Sequence, residues 1–272
     1  MKKRILKIVI WSVSILLIIV GVWVVVLNYG KNKCIEIQIS IDAPADASFI
    51  TEQDVRNYIT QAGDPLVGSE IAKINIESIE NIINKNPFVL TSRVYVTLGG
   101  IVKIEIKQRT PIVRVQNSFD QSYYISRDGF LMPIVAGKTA RILIANGVIN
   151  DLYISSLKLD ADTLGKVKDT IKPNKNLVKI YQAAHAINKD PFWKAQIQQL
   201  FLDKSGNILM MPLVGDQIIE LGDENFIPEK LDKLRIFNKK KEFLASWDKY
   251  DTININFKGQ IVCSKKIILK TK

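Results

Sequence analysis

A run of 20 residues near the start of the chain, Ile8 to Leu27 (IVIWSVSILLIIVGVWVVVL), contains no charged side chain. As a helix rising about 1.5 Å per residue it just crosses a hydrocarbon core about 30 Å thick. In lipid the backbone amides must be satisfied within the segment, so this β-branched run is expected to be helical despite weak intrinsic propensity. Lys2, Lys3, Arg4 and Lys7 precede it, against Lys31 and Lys33 behind it, and that positive excess assigns the N-terminus to the cytoplasm. A cleaved signal peptide is the rival reading, but its apolar region is normally about 7–15 residues long and ends in small residues. This run is longer, and LNYGKNKC supplies no such cleavage site. The expectation is an uncleaved anchor, with residues 1–7 cytoplasmic, 8–27 spanning the bilayer and the rest outside.

The exported part is long enough for one large domain or two of ordinary size, and two is the better expectation. Four of the +11 net charges lie ahead of the anchor, leaving +7 outside. Such an excess favours anionic lipid or a cell-wall polymer, or it simply keeps a solvated surface soluble; the lysines are scattered, which fits the second reading equally well. A location across a membrane excludes nucleic acid. Cys34 and Cys263 sit at opposite ends of the folded part and are expected to be buried free thiols, since a disulfide needs Cα atoms within about 7 Å. The fold must then rest on a hydrophobic core, which a composition 47% apolar permits.

Behind the anchor, Cys34 to Ile41 alternates so that Ile35, Ile37, Ile39 and Ile41 share one face of a strand. Thr51 is placed to cap a helix carrying Val55, Tyr58 and Ile59, which stops at Gly63 and Pro65. A second helix runs from Ile76 to Lys85, with Ile76, Ile79, Ile82 and Ile83 at helical spacing and Pro87 ending it. Phe88 to Leu98 and Ile101 to Gln108 form a hairpin through Gly99-Gly100. From Ile112 the chain reads mainly as strands: Ile112 to Val115, Ser122 to Ser126, a turn at Arg127-Asp128-Gly129, and Arg141 to Ala145. A polar, irregular stretch from Asn150 to Pro173 reads as a loop. Asn174 or Asn176 caps a helix striped by Leu177, Ile180, Tyr181, Ala184 and Ile187. Then come Gln198 to Asp203, Ile208 to Leu213 and Gln217 to Leu221 as a meander, and a helix with Lys230, Leu231 and Leu234 on one side. Ile253 to Phe257 and Gln260 to Lys265 close the chain as a hairpin around Lys258-Gly259.

The order β-α-α-β-β directly behind one anchor resembles a POTRA domain, the polypeptide-transport-associated module of envelope proteins. Gln108-Arg109-Thr110-Pro111 resembles the glutamate-arginine-x-proline junction that follows this domain in the bacterial cell-division family FtsQ/DivIB, with Gln108 where glutamate is usual. YYISRDGFLMP, the run IIELGDENFIPEKLDKLRIF and the closing hairpin are similar to that family in the same order. The implied fold is α+β: a single transmembrane helix, a POTRA domain over 28–108, and a mainly antiparallel β domain with flanking helices over 109–272.

Enzyme chemistry finds no assembly. Ser155-Ser156-Leu157-Lys158 and Ser246-Trp247-Asp248-Lys249 match the S-x-x-K of penicillin-binding proteins, and Ser205-Gly206-Asn207 echoes their second motif, but no K-T-G accompanies them. Gly137-Lys138-Thr139 ends like a phosphate loop, yet Met132 stands where its first glycine belongs. His185 is the one histidine, too few with two distant cysteines for a metal site. Cys263 lies among Ile261, Val262 and Ile267 and reads as packing rather than as a nucleophile. Lys239-Lys240-Lys241 reads as a solvated helix end, or as a lipid or partner contact. No catalytic residue, cofactor or metal is expected.

What remains is binding. An edge strand offers unpaired N–H and C=O groups that a partner strand completes, with alternate side chains giving specificity. The resemblance implies the same use: the closing strands receive the extracytoplasmic end of FtsB, which comes with FtsL. Carried over, Phe257, Gly259, Gln260, Ile261, Val262 and Cys263 are the expected contacts, with Gly259 forming the turn and Phe257 adding apolar surface. The implied function is a non-catalytic scaffold for septal wall synthesis, held at the inner membrane and at the division septum with other divisome proteins. A membrane-anchored export or chaperone module using its POTRA domain is the alternative.

Overall fold

A computed structural model describes residues 2–29, 32–44, 47–61, 63, 66–155, 157–159, 174–239 and 250–266. Helix α1 spans Lys2–Tyr29. Its side chains are described from Ile10 to Trp23, and all of them are exposed. Among the described residues no helix is long and apolar enough to cross a membrane.

The chain divides into two compact units, one of residues 1–42 and 50–108, the other of residues 43–49 and 109–272. In the first, β1 (Glu36–Asp42), β2 (Val89–Val96) and β3 (Ile101–Gln108) form a sheet in the order β1-β3-β2. β1 runs parallel to β3, and β2 is antiparallel to it. The helices are α2 (Glu52–Gln61) and α3 (Ile76–Asn84). Thr51 and Asp54 close a reciprocal cap at the start of α2: the Thr51 hydroxyl accepts from the Asp54 N–H at 3.2 Å, and the Asp54 carboxylate accepts from the Thr51 N–H at 2.9 Å. Asn75 caps α3 by accepting from the Ser78 N–H. Val55, Ile59, Ile79 and Ile83 from the helices and Ile39, Val94, Val102, Ile104 and Ile106 from the strands are buried. Ile35 departs from the expected alternation: it precedes β1 and is 64% exposed.

Both edges of this small sheet are met by a charged side chain from a helix. Glu80 of α3 accepts from the Val94 N–H of β2 at 2.7 Å, and Arg56 of α2 donates to the Ile37 carbonyl of β1 at 3.0 Å. Groups that an incoming strand would use are thus satisfied within the unit.

The second unit is built on a nine-stranded mixed sheet. Its strands are β4 (Pro111–Gln116), β5 (Ser122–Ser126), β6 (Leu131–Pro133), β7 (Leu143–Gly147), β8 (Ile197–Leu202), β9 (Ile208–Pro212), β10 (Ile218–Gly222), β11 (Tyr250–Asn254) and β12 (Val262–Lys265). The order is β12-β11-β10-β9-β8-β7-β4-β5-β6. The pairs β4–β7, β7–β8 and β10–β11 are parallel and the rest antiparallel, so the sheet is mixed where mainly antiparallel pairing was expected. Parallel neighbours need a crossover, and α4 (Lys175–Lys189) and α6 (Ile227–Asn238) lie in the connections that supply two of them. Asn174 caps α4. Leu177, Ile180 and Ala184 of α4 and Leu231 and Leu234 of α6 share one core with Val113, Val115, Ala145, Leu200, Leu202, Met210, Leu221 and Ile253.

Two elements differ from the sequence expectation. Pro191–Gln196 forms a short helix, α5, capped by Asp190, which accepts from the Phe192 N–H. The stretch after Asn150 is not merely polar: Leu157 and Leu159 are buried in the core, and the Leu159 N–H donates to the Gly129 carbonyl at 2.9 Å. The segment Ala43–Phe49, which leaves the first unit between β1 and α2, belongs to the second. There the Phe49 ring lies 5.2 Å from that of Tyr124, and Lys138 donates to the Phe49 carbonyl at 3.0 Å.

Candidate functional site

Among the described residues β12 is the terminal strand of the large sheet, with β11 as its neighbour. Tyr250 opposes Lys265, Thr252 opposes Ser264, Ile253 opposes Cys263 and Asn254 opposes Val262, with a bulge at Asp251. The strand is short and sits mostly in solvent: Val262, Ser264 and Lys265 are exposed, and Cys263 is half-buried against the core. Among the described residues its far edge carries no ladder partner, and it is the strand on which the sequence predicts that a partner pairs.

The six expected contacts fall into two groups. Val262 and Cys263 lie in β12, whereas Phe257, Gly259, Gln260 and Ile261 belong to the connection ahead of it. The hairpin is therefore offset from its expected bounds: β11 starts at Tyr250 and ends at Asn254, and β12 starts at Val262 rather than Gln260. Gly259 makes the turn with φ +73°, a conformation that other L-residues adopt only with strain. Phe257, Gly259 and Gln260 are exposed and Ile261 packs partly on the core. Cys34 and Cys263 are both free thiols; Cys34 is buried as expected, but Cys263 is only half so, and burial pushes its pKa up.

Two lysines of α6 hold the stem of this connection. Lys230, 7% exposed, donates to the Asp223 carboxylate at 2.5 Å, to the Asp223 carbonyl at 3.1 Å and to the Asn256 side-chain oxygen at 2.8 Å. Lys233, one turn on, donates to the Ile255 carbonyl at 2.8 Å and also to the Phe257 carbonyl. Burial pushes the Asp223 carboxyl up, but its hydrogen bonds with Lys230 and Asn225 and the Lys230 charge outweigh that and hold it below the ordinary 3.8. Burial, then repulsion from Lys230, lowers Lys233. The Asn256 side chain fills the space beside Gly222, where a Cβ would lie 2.2 Å from it, so Gly222 must lack one. Asn254 donates to Glu220 at 2.6 Å, and the Ile255 N–H donates to the Glu220 carbonyl at 3.0 Å. Sequence reasoning placed Lys230 on the helix stripe but missed Lys233, Asn256 and Asp223, whose role depends on contacts between distant segments.

At the start of the second unit Arg109 is ion-paired with Asp128, and its guanidinium lies 3.7 Å over the Phe130 ring. Gln108, 2% exposed, accepts from the Ile50 N–H at 3.3 Å in the first unit. These residues build the junction motif into two separate cores.

The matches to catalytic patterns do not gather. Gly137 and Lys138 lie in a turn with no helix behind it, and Lys138 is engaged with Phe49. His185 lies on α4, 5.9 Å from the Tyr181 ring. Ser246 to Lys249, Ser156 and Lys240-Lys241 lie outside the described residues. Among the described residues no group of three His, Cys, Asp or Glu side chains is arranged to hold a metal.

Comparison with known families matches a POTRA-like domain to residues 32–107 and the family described as FtsQ/DivIB, C-terminal related, to residues 110–264. The second match covers more than half of the chain. The chain belongs to the FtsQ/DivIB C-terminal-related family. No curated protein matches it. The family is of the non-catalytic division-scaffold kind, and its domains point to a scaffold role in cell division.

Proposed function

We propose that the protein is a membrane-anchored, non-catalytic divisome scaffold that captures FtsB-like and FtsL-like partners by strand addition to β12 and so recruits and regulates septal wall synthesis. The observation that carries this reading is the position of β12 at the end of the large sheet, with its connection to β11 turned into solvent. A partner strand laid there would extend the sheet through its backbone and meet Val262, Phe257 and Ile261 with its side chains. The POTRA-like unit would serve recruitment of other divisome proteins. Residues 8–27 would be the anchor, with the N-terminus in the cytoplasm and the folded units outside at the septum; a helix that is apolar on every side suits lipid better than water.

The test is affinity purification of the full-length protein from membranes beside a version lacking Lys258 to Lys272. Recovery of single-span, coiled-coil partners of the FtsB and FtsL kind with the intact chain alone supports the scaffold. Unfolded export substrates recovered with both versions would replace it with the export-module reading.

A further inference from the structure

The edge hairpin has a charge pattern of its own. From Phe257 onward the charged residues are Lys258, Lys265, Lys266, Lys270 and Lys272, and none is acidic. The described part is graded along its length. Toward the turn lie Phe257 and Val262, 48% and 45% exposed, with Ile261 beside them; toward the chain end lie Lys265 and Lys266. Side chains alternate across a strand, so within β12 Cys263 and Lys265 share one face and Val262 and Ser264 the other, with Ile261 ahead of the strand and Lys266 behind it. The edge as a whole therefore runs from apolar at the turn to basic at the chain end. Among the described residues the acidic groups of the neighbouring elements are Asp251, at the bulge of β11, Glu220 of β10, whose carboxylate accepts from Asn254 at 2.6 Å, and Asp216, whose exposed carboxylate lies 3.4 Å from Lys266. An exposed pair of that kind contributes little and exchanges readily.

Backbone pairing is the same for any sequence, so an edge strand discriminates only through its side chains. We propose that β12 selects an extended partner segment of graded composition, apolar where it passes Phe257, Ile261 and Val262 and acidic where it passes Lys265 and Lys266. This rests on the reading of β12 as the partner edge. A second copy of β12 is a poor occupant. Paired in parallel it sets lysine against lysine, and paired antiparallel it sets lysines against the apolar half.

The test uses the full-length protein in detergent micelles and fluorescent peptides that share an alternating apolar half and end in a short run of Asp, Asn or Lys. The Asp peptide should bind at least about tenfold more tightly than the Lys peptide at low salt, with the gap closing as salt rises. A Lys265→Glu, Lys266→Glu double variant should invert the order. Equal affinities, or an order that the double variant leaves unmoved, overturn the proposal. An Asp peptide N-methylated at alternate amides separates the two levels of failure. If methylation abolishes binding while the three end groups bind alike, strand pairing stands and charge selection falls. If methylation changes nothing, the edge reading itself falls, and the proposal with it.

Discussion

The Lys233 ammonium lies 2.8 Å from the Ile255 carbonyl, where the extension of β11 would otherwise bond to a neighbouring strand. A helix side chain thus continues the work of the sheet past its last ladder pair. Replacing Lys233 with Met should leave global stability nearly unchanged and accelerate amide hydrogen exchange in the 255–265 stretch; unchanged exchange would remove Lys233 from this role.

Asp223 adds an acid dependence to the same brace. Its carboxyl titrates below the ordinary 3.8 in the folded protein, so its contribution is fully present above that value and is lost as pH falls through the folded pKa. Asp223→Asn should lower the thermal midpoint at neutral pH. The difference from wild type should shrink as the pH is taken below about 4. A gap that stays constant down to acid would contradict the pairing with Lys230.

Asp151 works in the opposite sense. Burial raises its pKa despite a hydrogen bond from the Asn174 N–H at 2.7 Å, and its other carboxylate oxygen is buried with no hydrogen-bond partner among the described residues. The folded state then holds the proton more tightly than the unfolded one, and stability falls as pH rises through the folded pKa. Asp151→Asn should raise the thermal midpoint at neutral pH and make no difference in acid, because the amide oxygen can still accept from Asn174.

Leu234, fully buried on α6, packs in the core that backs β10 and β11. Its truncation to Ala should cost about 3 kcal/mol in denaturant unfolding. Partner capture should weaken more than that of a core variant near β5, such as Ile125→Ala, because Leu234 seats the helix that carries both lysines.

Glu80 closes the β2 edge through the Val94 N–H. Glu80→Ala should cost about 1 kcal/mol and produce concentration-dependent association seen by analytical ultracentrifugation. A variant that remains monomeric at every concentration would show that the edge is protected by other means.

The sequence announced most elements because their side chains alternate or recur cleanly, as in Val102, Ile104 and Ile106 of β3 or the stripe of α4. α5 escaped because its six residues are too few to show a helical stripe. The beginning of β11 escaped because the bulge at Asp251 breaks its alternation. The mixed order of the large sheet is set by crossovers, and no local pattern records which strand β7 lies beside. The place of Val262 and Cys263 on a late strand was legible because they stand in a short apolar run behind the Lys258-Gly259 turn. Their supports were not, since Lys233 reaches a carbonyl 22 residues away and Lys230 an amide 26 away.

The chain gives up Ala43–Phe49 to the second unit before returning to finish the first. Phe49 is 3% exposed there. A fragment cut at residue 108 would keep this segment on the wrong piece, and the other piece would carry a bare Tyr124. Recombination at the junction meets the same obstacle, so neither unit is a freely exchangeable cassette.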